Sequence, residues 1–317
     1  MSEDLFYNRD RNIEGVTAPA DLSDLNLTPS YGSQASFEAK NHIYDTDDFY
    51  FNMVPLSLNS LSATFSVAYS VSETNAQKLA NFFESKSGSV PMELNIDNSG
   101  IYRAVSGVCS SYSVDFVNNQ NMSVQADLVC NTAPTLMNWS GQTFTNATGS
   151  DWEGGKAYQQ YDIVYTGVSS NKLNNFYYCA TGHTSSLANS PTGASTVWSQ
   201  AFFFEPDISQ NASVDLKSDQ LDYKNSFIQR FNTNTNIATF PIEYQFTNIS
   251  DHQLKAMLHF LENKAGYRRF RHQIPSVYNR PKVYYCPQWT HTWKYYNSND
   301  LSVSFVEDPL GVIPTGT

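Results

Sequence analysis

"FFESKSG" (Phe82–Gly88) and "FLENKAG" (Phe260–Gly266) share one pattern: aromatic, apolar, Glu, small polar, Lys, small, Gly. It reads as a helix ending. A lysine in a last turn suits the helix dipole, and a following glycine takes the left-handed conformation that closes the helix. Upstream of each ending the apolar residues fall on one helical stripe. Ala76, Leu79, Ala80 and Phe83 stand at i, i+3, i+4 and i+7, and Leu254, Met257, Leu258 and Leu261 repeat that spacing. Ser72 is placed to cap the first helix, and Ser250 with Gln253 forms a capping-box pattern at the second.

The correspondence extends outward from the helices. "ATFSVAYSV" (63–71) precedes the first and "ATFPIEYQF" (238–246) the second, with Ala, Thr, Phe and Tyr matched at one offset of 175 residues (240 − 65). Phe65, Val67, Tyr69 and Val71 alternate with small or polar residues, as Phe240, Ile242, Tyr244 and Phe246 do, which is the period of a half-buried strand. Pro241 cannot donate to a strand ladder, so the second copy is expected at a sheet edge or paired on one side there. The helix endings match at 178 (260 − 82), so about one turn is expected to have been inserted between strand and helix ending. Downstream, Cys109 and Cys286 open two further comparable segments. Tyr112, Val114 and Phe116 run to a turn "NNQN", followed by Met122, Val124, Ala126 and Leu128. Trp289, His291 and Trp293 run to "NSND", followed by Leu301, Val303 and Phe305. Each is a hairpin signature. Three blocks in one order point to an internal duplication, each copy holding several strands and one helix.

Between the copies lies a different composition. Residues 145–200 are rich in Gly, Ser, Asn, Tyr and Trp, and Trp152, "YDIVYTG", "FYYCATG" and Trp198 read as a compact three-stranded module. The first forty residues carry no periodicity and read as a polar, proline-containing arm, extended or ordered only on a partner. The chain therefore divides into an arm (1–43), a first unit (44–135), an inserted module (136–204) and a second unit (205–317), mainly β or α+β.

Composition narrows the function. With 15% charged and 14% aromatic residues, the 317-residue chain resembles β-rich extracellular or viral structural proteins more than a metabolic enzyme. A net charge of −11 argues against a reader of nucleic-acid phosphates and is compatible with a surface past which DNA slides. Four scattered cysteines make no disulfide framework and no zinc pair. The acidic, polar start is no signal peptide, and no apolar run approaches the roughly 18 residues of a membrane span. A soluble protein made in a cytoplasm is expected.

No catalytic motif stands out: there is no GxSxG, HExxH or phosphate loop, and we expect neither an enzyme nor a cofactor. His252 and His259 read as surface histidines, and Asp45–Asp48 as solvated loop carboxylates. Arg268, Arg269, Arg271, Arg280 and Lys282 cluster within fifteen residues, among interleaved aromatics. They are candidates for a protein interface with an acidic neighbour, a solvated loop being the other reading. In the insert, Trp152, Tyr158, Tyr178 and Trp198 are either sugar-binding platforms or the core of a very small domain.

The stretch "FLENKAGYRRFRHQIPSVYNRPKVYYCPQWTHTWKYYNSNDLSVSFVED" resembles the minor tail protein M family of lambda-like bacteriophages over about residues 228–308, through the helix ending in Gly, the aromatic–basic stretch, "YYCPQWTHTW" and a terminal strand. The family protein is about one unit long. This chain carries two units and an insert, and looks more like baseplate tube or hub proteins of flexible-tailed phages. The insert looks like small chitin- or cellulose-binding modules. The resemblance implies a phage tail-tube-like β-sandwich or barrel with one flanking helix in each unit. It further implies a virion structural protein, three chains making a pseudo-hexameric ring in the tail tip through which DNA passes without specific binding. Expected partners are the neighbouring tube, distal-tail and hub proteins, and a host-surface glycan at the insert. The alternative is a secreted or virion carbohydrate-binding protein working through the insert.

Overall fold

The structure, a computed structural model, describes residues 18–19, 25, 27–45, 51–56, 61–86, 88–94, 105–117, 121–130, 152–166, 176–192, 196–207, 211–212, 215–216, 219–223, 227–231, 238–273 and 281–308. The fold is mainly β with antiparallel ladders, and two α-helices lie among the described residues. The chain divides into two compact units that interleave along it. Unit 1 comprises Met1–Phe37, Ser62–Asn138 and His291–Tyr296, and unit 2 comprises Glu38–Leu61, Trp139–Thr290 and Asn297–Thr317. The middle module is counted in unit 2.

The first part of the chain forms β1 (Gln34–Ala39), β2 (Asn41–Asp45), β3 (Phe51–Pro55), β4 (Leu61–Val71), α1 (Glu73–Lys86), β5 (Met92–Leu94), β6 (Val105–Phe116) and β7 (Met122–Cys130). β2 and β3 make a hairpin. The stretch expected to be extended or ordered only on a partner instead carries β1, which joins the sheet of unit 1, where the strand order is β1-β4-β7-β6-β5. Phe65, Val67, Tyr69 and Val71 on β4 are all buried, as the alternation requires. They face Leu128, Ala126, Val124 and Met122 of β7 across the ladder. α1 covers this face against β6 and β7 with Ala76, Leu79, Phe82 and Phe83. The Phe83 and Tyr112 rings lie 5.5 Å apart, and the Tyr112 hydroxyl donates to Glu84 Oε1 at 2.6 Å.

The middle module holds β8 (Ala157–Tyr158), β9 (Ile163–Tyr165), β10 (Phe176–Cys179), β11 (His183–Thr184) and β12 (Trp198–Ser199). It has a three-stranded sheet, β12-β10-β9, and a two-stranded β11-β8 pair. Tyr158, Val164, Cys179 and Trp198 form its core, with Trp152, Tyr177 and Val197 packed against them.

The last part forms β13 (Asn211–Ala212), β14 (Asp215–Leu216), β15 (Asp219–Tyr223), β16 (Phe227–Phe231), β17 (Ala238–Thr239), β18 (Ile242–Ile249), α2 (Asp251–Lys264), β19 (Phe270–Gln273), β20 (Pro281–Tyr295) and β21 (Ser298–Glu307). In unit 2 the order is β13-β18-β21-β20, with β19 also on β20. Pro241 does not make β18 an edge. It breaks the predicted strand, β17 pairing with β14 while β18 pairs on both sides at Ile242 and Glu243. With no proline N–H to bond, the chain is held at the break by Phe240 N, which donates to Glu307 Oε2 at 2.7 Å.

The extra three residues (178 − 175) do not lengthen the helix, since both helices have 14 residues. They are accommodated between Phe246 and Ile249, where the β18–β21 register shifts and Asn248 takes φ 55°. A left-handed residue at a bulge absorbs chain length without disturbing the ladder before it. At the far end of α2 the left-handed turn begins one residue before the glycine, at Ala265 (φ 48°), whose N–H bonds Leu261 O and Glu262 O. Gly266 follows at φ 73°.

The core of unit 2 is aromatic. Phe202 sits among Phe246, Phe260, Phe270 and Phe305, with ring centroids 4.9 to 6.1 Å away. Its N–H donates to Arg271 O at 3.1 Å, so the segment after the module lines up beside β19. His272 is buried there, bonded to the Tyr244 hydroxyl at 2.7 Å and to Phe202 O at 2.9 Å. Burial pushes its pKa down.

Candidate functional site

The feature with the clearest functional content is the sheet face that α1 or α2 leaves uncovered in each unit. Because side chains alternate along a strand, burying one set exposes the next. In unit 1 that face carries Ser66 and Ser70 of β4, Ser111, Ser113 and Asp115 of β6, and Gln125 of β7, all exposed. A trough of about 380 Å³ runs over it. Asp127 is fixed across it, accepting from Ser66 Oγ at 2.7 Å and Ser111 Oγ at 2.8 Å. In unit 2 the corresponding face carries Glu243, Gln245, Gln288 and Ser302, with a trough of about 290 Å³. These positions hold carboxylates, amides and hydroxyls and neither lysine nor arginine.

On the opposite, helix-covered side of each sheet, several pairings and contacts recur. Tyr69 pairs with Val124 and Tyr244 with Val303, and one step along Val71 pairs with Met122 and Phe246 with Leu301. Lys86 lies 5.2 Å over the Phe82 ring, and Lys264 5.4 Å over that of Phe260. A Cβ on Gly88 would meet Cys109 O at 3.3 Å, and one on Gly266 would meet Cys286 O at 3.4 Å. The Cys109 thiol donates to Ser111 O at 3.3 Å, and the Cys286 thiol to Gln288 O at 3.4 Å. All four cysteines are free and buried, and burial raises each thiol, Cys130 to about 11 and Cys179 to about 12. Such thiols are poor nucleophiles.

The basic cluster does not form an open patch. Arg269 is paired with buried Asp308 at 2.6 Å and donates to the Tyr285 hydroxyl at 2.7 Å. Lys282 is paired with Glu307 and lies 3.7 Å over the Phe240 ring. Arg268 folds back on Asn263 O and the Tyr267 hydroxyl, both at 2.7 Å. Its charge, after burial, helps push Lys264 down to about 8. Of the five residues, Arg271 is the exposed one among those described. Arg280 lies outside the described residues, as do three of the four residues of Asp45–Asp48.

Burial also removes the insert's aromatics as sugar platforms. Tyr158, Tyr178 and Trp198 are 3%, 2% and 6% exposed. Tyr158 accepts from Glu153 N at 3.0 Å, and Trp198 Nε1 donates to Asn189 O at 2.9 Å, so both polar tips are spent internally. Trp152 is half-buried, packed on that same core. Tyr178 instead anchors the module to α2 through a 2.9 Å hydrogen bond with His259 Nδ1, and Phe176 stacks edge-on to that imidazole at 4.6 Å. His259 is therefore no surface residue. It is 5% exposed, and burial pushes its pKa down to about 3. His252 stays half-exposed and pairs with Asp162 at 3.3 Å, which raises its pKa.

No group of three or more His, Cys, Asp or Glu side chains suited to a metal ion occurs among the described residues. No helix among them is long and apolar enough to cross a membrane. No family model matches the chain, and no curated protein matches it.

Proposed function

We propose that the chain is a ring-forming structural protein of a bacteriophage tail tip or baseplate, holding two copies of one module so that three chains supply six. The observation that carries this reading is a common connectivity. Strand, helix, short strand and hairpin succeed one another as β4-α1-β5-β6-β7 and as β18-α2-β19-β20-β21, and the strands neighbour one another in the same way, β4-β7-β6-β5 and β18-β21-β20-β19. Matching cation–π contacts, thiol hydrogen bonds and glycine approaches add support, because unrelated hairpins have no reason to share them. A chain with two equivalent modules carries two equivalent sets of edges, and closed rotational symmetry then makes a pseudo-sixfold ring from three chains.

The uncovered sheet faces suit a conduit. The residues lining the two troughs are hydroxyls, amides, carboxylates and apolar groups with no lysine or arginine among them, and their carboxylates repel phosphate instead of retaining it, so DNA passes without being trapped. In this reading the protein works mechanically in the virion, between tube, distal-tail and hub proteins. The carbohydrate-binding alternative loses support because Tyr158, Tyr178 and Trp198 are buried.

Mass photometry and negative-stain imaging of the purified protein test the proposal. Trimers or stacked annuli with a sixfold appearance are expected. A monodisperse monomer at micromolar concentration overturns it.

A further inference from the structure

Two apolar residues at the end of β6 are exposed. Phe116 is 80% exposed and Val117 63%, although Met122, which faces Phe116 across the ladder, is buried. Phe116 stands at the station of Trp293, 177 residues on (293 − 116), the offset that also relates Cys109 to Cys286.

Trp293 has a partner. Within unit 1, Gly32 N donates to Trp293 O at 2.6 Å and Trp293 N donates to Ser33 O at 3.0 Å. Tyr295 lies beside Tyr31, with ring centroids 5.8 Å apart. Residues 291–296 are thus a strand end received by the chain entering β1, and β1 itself lies beside β4. In unit 2 the strand on the corresponding side of β18 is β13, paired through Asn211–Glu243 and Ala212–Ile242. Among the described residues no strand lies on the other side of β13. Among the described residues one donor end and one acceptor edge are therefore left over, and each is the counterpart of a donor and an acceptor already matched in unit 1.

We propose that the β6 end of one chain, at Phe116–Val117, adds to the β13 edge of a second copy of this chain, repeating the main-chain pairing between Trp293 and Gly32–Ser33. An exposed edge is a template for such addition, and two exposed apolar side chains supply burial beside the backbone bonds. The contact is head-to-tail, so it closes into a ring when the rotation allows. The inference rests on the duplicated-module reading above and adds to it the surface that joins neighbouring chains.

The test is the F116D/V117K double variant, compared with wild type by analytical ultracentrifugation across a dilution series. Both side chains are exposed, so the far-UV circular dichroism spectrum of the variant keeps its folded form while assembly weakens roughly thirtyfold or more. A wild-type annulus with an equally tight variant overturns this surface and leaves the ring proposal standing, whereas a monomeric wild type overturns both.

Discussion

Gly266→Ala isolates the approach on which the second helix ending depends. The glycine stands at φ 73°, and a Cβ there would overlap the Ala39 Cβ, an approach no packed pair of carbons sustains. Gly88 stands at φ 65° with its nearest neighbour, Cys109 O, at 3.3 Å. Both substitutions incur the left-handed penalty of about 1–2 kcal/mol. The Gly266 variant adds an overpacking term of about 1–3 kcal/mol, so it should cost about 2–5 kcal/mol against about 1–2 for Gly88→Ala. Removing the obstructing methyl with Ala39→Gly should return most of that difference. A39G alone loses about 0.5–1 kcal/mol as a strand glycine, so the double variant should be more stable than the sum of the singles by about 1–3 kcal/mol. Urea unfolding followed by far-UV circular dichroism, run as a double-mutant cycle, reads this directly. Additivity within about 0.5 kcal/mol, or a Gly88→Ala cost equal to that of Gly266→Ala, would refute the argued contact.

Two further outcomes follow from buried titratable groups. His259 is neutral in the fold with its pKa pushed to about 3, below its unfolded value of about 6.5, so its contribution is fully present above pH 6.5 and is lost as pH falls toward 3. Wild-type stability should drop by up to about 1.4 kcal/mol per pH unit in that window, and His259→Gln should flatten the slope; an unchanged slope contradicts the assignment. The four buried thiols should resist Ellman's reagent in the native protein and all react in guanidinium, so any fast native equivalent would contradict their burial.

The parts legible in the sequence were those whose burial is decided locally. Alternation placed β4 and β21 correctly because a pleated strand with one covered face has no other option, and the apolar stripes placed both helices. His259 was misread because α2 is covered on two sides. Beyond its stripe toward the sheet it meets Tyr178 and Phe176 of the module, and a one-sided helical pattern does not record a second neighbour. The basic cluster misled for a different reason. Positive charges adjacent in sequence looked like a patch, while the partners of Lys282 and Arg269, Glu307 and Asp308, stand 25 (307 − 282) and 39 (308 − 269) residues away and reach them only through folding. Phe202, first of three consecutive phenylalanines, packs against Phe246, Phe260, Phe270 and Phe305, all distant in sequence, so no local pattern announced it.

The register shift at Asn248 separates two regions that each keep their own spacing: the ladder up to Phe246, and the helix with its ending from Ser250 to Gly266. Such a seam lets one half drift in length while its neighbours hold their stations. It also marks where a chimera should be cut, because splicing the two halves at the strand–helix junction transfers a helix without shifting any cross-strand partner.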